Sequence, residues 1–238
     1  MEDGHPWSSG HFVTDDVSEE VQRTLVHSYL LHHCYGETAQ ALWDAASGGL
    51  MTGSSAMETD ARDGIGENED SGIAAVNTRL PIIQAVLNGE VATAIGMATE
   101  LEPEIFTKRR DVLLDLLCLQ FVDIVRTGDT QEAIVFAKKE LAPFGYGDAG
   151  NVERLEECLA LLAYTEPESS PVGQYLREEF RTAVADALNG ALLQAANLPD
   201  RAPLERVVQQ LTATRAALAK DGVTQLFRFG DWVSTPTR

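Results

Sequence analysis

Between residues 77 and 144 the chain is cut four times by helix breakers, and the apolar residues between the cuts recur every three or four positions. Leu80, Ile83 and Leu87 share one face of the first segment, which Gly89 ends. Val91, Ile95 and Ala98 face one way in the second, which stops before Pro103. Leu113, Leu116, Gln120 and Ile124 line the third, closed by Thr127-Gly128. Ala133, Ile134, Ala137 and Leu141 line the fourth, which ends at Pro143. This spacing puts each set on a single helical stripe. Glycine just past an end, or proline soon after a stop, is the usual punctuation. Four such segments in so short a stretch predict a compact antiparallel helical bundle with short connections.

The remaining sequence also reads as helices and turns. Residues 1–18 are expected to form a flexible tail. In residues 21–46, Val21, Leu25, Tyr29 and His32 fall on one helical face, with Val26, Leu30 and His33 beside it. A second short helix after Tyr35-Gly36 carries Thr38, Ala39 and Leu42. A helical pair of under thirty residues cannot bury enough surface to stand alone. It either pairs with a copy of itself or another chain, or docks on the downstream bundle. Residues 48–72 hold six glycines and six acids, with only Leu50, Met51, Met57 and Ile65 as apolar residues larger than alanine. They are expected to form a flexible tether.

Further on, Leu155, Leu159 and Leu162 share a stripe in a helix over residues 152–164, and the prolines of 165–171 make a turn. Two longer helices are predicted over 178–196 and 203–220, the last with Leu204, Val207, Val208, Leu211 and Leu218 on its apolar side. Phe227, Phe229 and Trp232 mark either a docked aromatic tail or a partner-binding segment. Strict alternation persists nowhere, so the expected fold class is all-α.

Charge and composition narrow the function. With 44% apolar residues the chain can build a core. The net charge of −19 is concentrated in residues 1–76, where fourteen acids face two basic residues. That balance opposes non-specific nucleic-acid binding. No run of eighteen apolar residues exists, and residues 1–16 carry neither a secretory core nor an Arg-rich presequence. An intracellular protein, cytoplasmic and/or nuclear, is therefore expected, with no membrane partner. Cys34, Cys118 and Cys158 are an odd set without paired spacing, which predicts reduced, buried thiols rather than disulfides or a zinc site.

The search for chemistry returns little. His27, His32, His33 and Cys34 cluster, but His32 and Cys34 diverge on a helix and no acid accompanies them at i, i+4 within that first helix. They read as packing or surface residues, not metal ligands. Lys108-Arg109-Arg110 reads as a solvated or carboxylate-paired corner. No Gly-rich phosphate loop or nucleophile elbow is present. The expectation is a protein with no catalytic, metal or cofactor-binding residues. An unrecognised helical enzyme is the remaining alternative, and a buried carboxylate pair in a cleft would favour it.

Leu25-Val26-His27-Ser28-Tyr29-Leu30, followed by Tyr35-Gly36-Glu37-Thr38-Ala39, resembles a LisH motif. Residues 79–98, with Ile82, Gly89 and Ala94-Ile95, resemble a CTLH domain. So do Gln120-Phe121-Val122-Asp123-Ile124-Val125-Arg126, Glu132-Ala133-Ile134-Val135-Phe136-Ala137 and the closing Leu141-Ala142-Pro143-Phe144. Leu159-Ala160-Leu161-Leu162-Ala163-Tyr164, then Ser170-Pro171-Val172-Gly173, is similar to the start of a CRA domain. The chain is thus identified as resembling the LisH–CTLH–CRA family, in its RanBPM-like and Twa-type branches.

The resemblance implies a LisH-like dimerisation hairpin (19–47), an acidic flexible linker (48–76), a CTLH domain (77–144) and a CRA domain (145–233), between tails at 1–18 and 234–238. It implies a non-catalytic scaffold subunit of a GID/CTLH-type ubiquitin ligase complex. Its partners would be other LisH–CTLH–CRA subunits, RING-bearing ones included, in a homo- or hetero-oligomer. The rival is a stand-alone adaptor for GTPases, cytoskeletal or signalling proteins. RanBPM-like members ordinarily carry a SPRY domain before LisH, and none fits the first twenty residues; the layout is that of a Twa-type subunit. Thr235-Pro236-Thr237-Arg238 has no cysteines of a RING-type end, so no direct recruitment of a conjugating enzyme is expected. Leu25, Val26, Tyr29, Leu30, Tyr35 and Leu42 are the expected dimer contacts. Phe121, Ile124, Ile134, Phe136, Leu162, Tyr164, Phe229 and Trp232 are the expected CTLH–CRA core or interface.

Overall fold

A computed structural model describes residues 17–49, 66–146 and 149–222. Ten α-helices run through them: α1 Glu19–His32, α2 Gly36–Gly49, α3 Gly66–Leu87, α4 Val91–Leu101, α5 Ile105–Lys108, α6 Arg110–Thr127, α7 Thr130–Phe136, α8 Ala149–Leu159, α9 Glu178–Ala195 and α10 Pro203–Lys220. No strand occurs among the described residues, and the fold is all-α. No described helix is long and apolar enough to cross a membrane.

The bundle is built around α6. Its Val112, Leu116 and Leu119 enter one core with Ile82 and Val86 of α3, Val91, Ala94 and Ala98 of α4, and Val184, Ala185, Leu188 and Leu192 of α9. Its Leu114, Leu117, Cys118, Phe121 and Val122 enter a second core with Ala133, Leu141, Phe144, Leu155, Cys158, Leu161, Tyr175 and Leu176. The single stripe expected for this helix is corrected accordingly: Leu113, Gln120 and Ile124 are only half-buried. A helix apolar nearly all round is a central one. Because α9 closes one core and α8 the other, the halves expected as CTLH and CRA pack as one unit.

The punctuation follows backbone chemistry. Gly89 and Gly128 take left-handed φ of 85° and 82°, and their N–H groups donate to Val86 and Val125 respectively. The Asp129 carboxylate then accepts from the Glu132 N–H at 2.9 Å and starts α7. The fourth predicted helix does not run to Pro143 as a regular α-helix. It widens into a π-turn at Ala137–Leu141 and tightens to 3-10 geometry at Ala142–Phe144. That adjustment buries both Leu141 and Phe144 ahead of the bend.

The first helix of the bundle is longer than expected. The composition predicts a tether to residue 72 and the family resemblance a linker to 76, yet α3 begins at Gly66 and passes through Pro81. An exposed proline removes one backbone hydrogen bond, whereas packing upstream of it supplies more. Val76 is wholly buried, and Arg79 is 6% exposed. Tertiary contact outweighs the local propensity that marked the start. The other end of the linker also shortens, since Gly48 and Gly49 belong to α2.

Candidate interaction surface

The N-terminal hairpin is closed by its own side chains. Ser18 caps α1, accepting from the Val21 N–H at 3.4 Å. Cys34 ends that helix with φ 61°, and the Tyr35 N–H donates back to the Leu30 carbonyl at 2.8 Å. His27 packs on the Trp43 ring with centroids 5.2 Å apart, and Ala39 is fully buried.

Of the two fates open to this hairpin, docking on the bundle occurs within the single chain. A methyl group at Gly36 would sit 3.1 Å from Val76 Cγ1, so a bare backbone lets α2 approach α3. At the junction the buried Arg79 guanidinium donates to the carbonyls of Leu31 (3.1 Å) and His32 (3.2 Å) and to Asn189 Oδ1. Asn189 Nδ2 donates to the same His32 carbonyl at 2.8 Å. Among the described residues its partners are two carbonyls and an amide oxygen, with no carboxylate. The free carbonyls at the C-terminus of α1 carry the negative end of the helix dipole and take its place. Burial pushes the guanidinium below its ordinary pKa, with Cys34 opposing.

Docking leaves an apolar surface on the other side. Helix α10 packs against α1 and has no buried residue. Its Val207, Val208 and Leu218 are exposed, and Val207, Leu211 and Leu218 lie on one stripe. On the hairpin, Val17, Val21, Val26 and Tyr35 are exposed as well.

The residues expected at a dimer contact divide across this geometry. Val26 (43% exposed) and Tyr35 (56%) are open, while Leu25, Tyr29, Leu30 and Leu42 are half-buried. In the second set, Phe121 is wholly buried, and Ile124, Phe136 and Leu162 pack on the same core. Ile134 is half-buried and Tyr164 exposed. Phe229 and Trp232 lie outside the described residues. Sequence reasoning missed Arg79 and Asn189, which stand 110 positions apart. It also missed Glu205, which α10 brings to His33 at 2.9 Å from Nε2 to Oε1. The absence of an acid near the histidines therefore holds along α1 but not across the fold.

A cleft of about 550 Å³ is lined by Asp115, Arg154, Tyr175 and Phe180 among others. Arg154 pairs with Asp115 at 2.8 Å, and the Tyr175 hydroxyl donates to Glu157 at 2.7 Å. Burial holds the Asp115 carboxyl above its ordinary pKa, opposed by Arg154. These groups are engaged with one another, as in a packing network. Lys108, Arg109 and Arg110 are similarly occupied: Lys108 pairs with Glu104, Arg109 with Asp111, and Arg110 lies over the Phe144 ring.

Residues 75–218, more than half of the chain, match the family described as CTLH/CRA C-terminal to LisH motif domain. The chain belongs to the CTLH/CRA family. A Ran-binding protein M homolog from Arabidopsis thaliana is 35% identical over 197 residues, 79% of this chain and 41% of that protein. A glucose-induced degradation protein 8 homolog from Nematostella vectensis is 30% identical over 137 residues, 58% of this chain and 61% of its own length. A GID8 homolog from Arabidopsis thaliana is 32% identical over 128 residues, 54% and 53% respectively. This CTLH/CRA chain thus spans 41–61% of the length of these relatives.

Proposed function

We propose that this chain is a non-catalytic scaffold subunit of a GID/CTLH-type ubiquitin ligase complex. In this reading the LisH-like unit (19–47) and α10 of the CRA region (145–233) meet another subunit, while the CTLH region (77–144) holds them on a rigid base. The observation that carries the reading is α10, an eighteen-residue helix without a single buried residue. Short helices owe most of their stability to packing of an apolar face. Val207, Val208 and Leu218 of α10, and Val26 and Tyr35 of the hairpin, are exposed apolar residues for a partner to cover. The glucose-induced degradation names of two relatives support the kind of complex. RING-bearing CTLH/CRA chains are the proposed neighbours, in the cytoplasm or nucleus.

The Ran-binding name of the Arabidopsis thaliana relative that matches 79% of this chain favours a second reading, an adaptor that works outside the ligase. Affinity purification of the tagged full chain from its native cells separates the two. Recovery of RING-bearing subunits supports the scaffold. Recovery of Ran-type GTPases without them supports the adaptor and overturns the scaffold.

A further inference from the structure

His32 and His33 finish α1, and Glu205 stands in the first turn of α10. One ligand atom from each lies within 4.8 Å of the other two, and all three side chains are half-buried. We infer that His32, His33 and Glu205 form a binding site for a divalent transition-metal ion, zinc foremost, that joins the hairpin to α10. The inference rests on donor chemistry and geometry and is independent of the ligase reading.

Two imidazoles and one carboxylate are the donor set of a three-ligand zinc site, with water in the fourth position. Hard calcium and magnesium ions prefer all-oxygen shells, so this set selects against them. Bonds of about 2.0–2.1 Å in a tetrahedron place ligand atoms roughly 3.3 Å apart. His33 Nε2 and Glu205 Oε1 already stand at 2.9 Å. Side-chain rotation closes the widest remaining gap. Partial exposure leaves a path for the ion and its water.

Glu205 and His33 are also held from behind, as metal-binding residues generally are. Glu205 Oε2 accepts from the Ala202 N–H at 3.2 Å, fixing the carboxylate at the start of α10. The His33 ring packs on Tyr29 with centroids 4.5 Å apart. The His32 carbonyl is held by Arg79 and Asn189, so the backbone carrying the two imidazoles is anchored in the bundle. An ion here would tie α10 to the anchored end of the hairpin.

The test uses the metal-stripped full chain under reducing conditions, titrated with Zn²⁺ in a non-chelating buffer, with the chain's Tm as a second readout. The expected result is one saturable equivalent and a raised Tm. His33→Gln and Glu205→Gln, each verified as folded by circular dichroism, should each weaken binding by about tenfold or more. His27→Gln, outside the cluster, should leave it unchanged. Cobalt substitution should give visible ligand-field bands that both cluster variants lose. Lack of saturable uptake by the folded chain, or uptake unaltered in both cluster variants, overturns the site.

Discussion

Arg79 of α3 donates to the carbonyl of His32, the last residue of α1, at 3.2 Å. Together with the Arg79 bond to the Leu31 carbonyl and the Asn189 amide bond to His32, this bond joins the N-terminal hairpin to the bundle. It fills two needs at once, satisfying an orphan helix-end carbonyl and giving a buried cation a partner.

Replacing Arg79 with alanine should therefore destabilise the chain by about 3 kcal/mol, since the carbonyls of Leu31 and His32 and the Asn189 amide each lose a buried, charge-assisted partner. Hydrogen exchange locates the damage. Amides of α1 and α2 should lose protection well beyond those of α6. Uniform loss across the chain would show that Arg79 is a general core element and not a joint.

Phe121 is the largest side chain fully enclosed at the centre of the second core. Phe121→Ala should cost about 3–5 kcal/mol in denaturant unfolding. A change below 1 kcal/mol would mean that the surrounding helices collapse into the space, contrary to a core pinned on both sides of α6.

Gly173 is forced by its surroundings. A methyl group there would lie 2.5 Å from the Glu168 carbonyl oxygen, which belongs to backbone and cannot swing aside. Gly173→Ala should cost about 1–3 kcal/mol and lower Tm. An unchanged Tm would show that the turn can shift freely.

Much of this was legible in the sequence because it is local. Gly89 and Gly128 mark helix ends through backbone chemistry that needs no tertiary context, whereas Pro143 lies inside the 3-10 turn beyond the π-turn. The limits of α9 and α10 follow from stripes and turns in the same way. The start of α3 upstream of residue 77 was not legible, because Gly72 and Val76 meet Leu31 and Gly36 of the hairpin, far away in sequence. Nor were Arg79 and Asn189. An arginine that pairs with helix-end carbonyls leaves no carboxylate at a telling spacing. For α6, a periodic filter picks one stripe from Leu113, Leu116, Gln120 and Ile124, although the helix is enclosed on two sides.

Asp115 supplies a pH signature. Burial raises its carboxyl pKa in the folded state, against the pull of Arg154. Between the ordinary value and the raised one, the native chain keeps a proton that the unfolded chain has released. Its contribution to stability therefore falls as pH rises through that window, and is constant on either side. A carboxyl ¹³C NMR titration should place the Asp115 midpoint above that of an ordinary aspartate. A midpoint at or below it would mean that Arg154 dominates over burial.

The central claim is that the open faces of α1 and α10 are covered by another subunit, and the most direct measurement is the mass of the purified full chain in solution. Light scattering behind size exclusion at micromolar concentration should give more than one chain per particle. Val26→Asp combined with Val207→Asp should reduce the particle to a single chain while the helical circular dichroism persists, because both residues are exposed within the monomer. A wild-type chain that runs as a lone, stable monomer, with Val26 and Val207 tolerating charge without effect, would contradict the account.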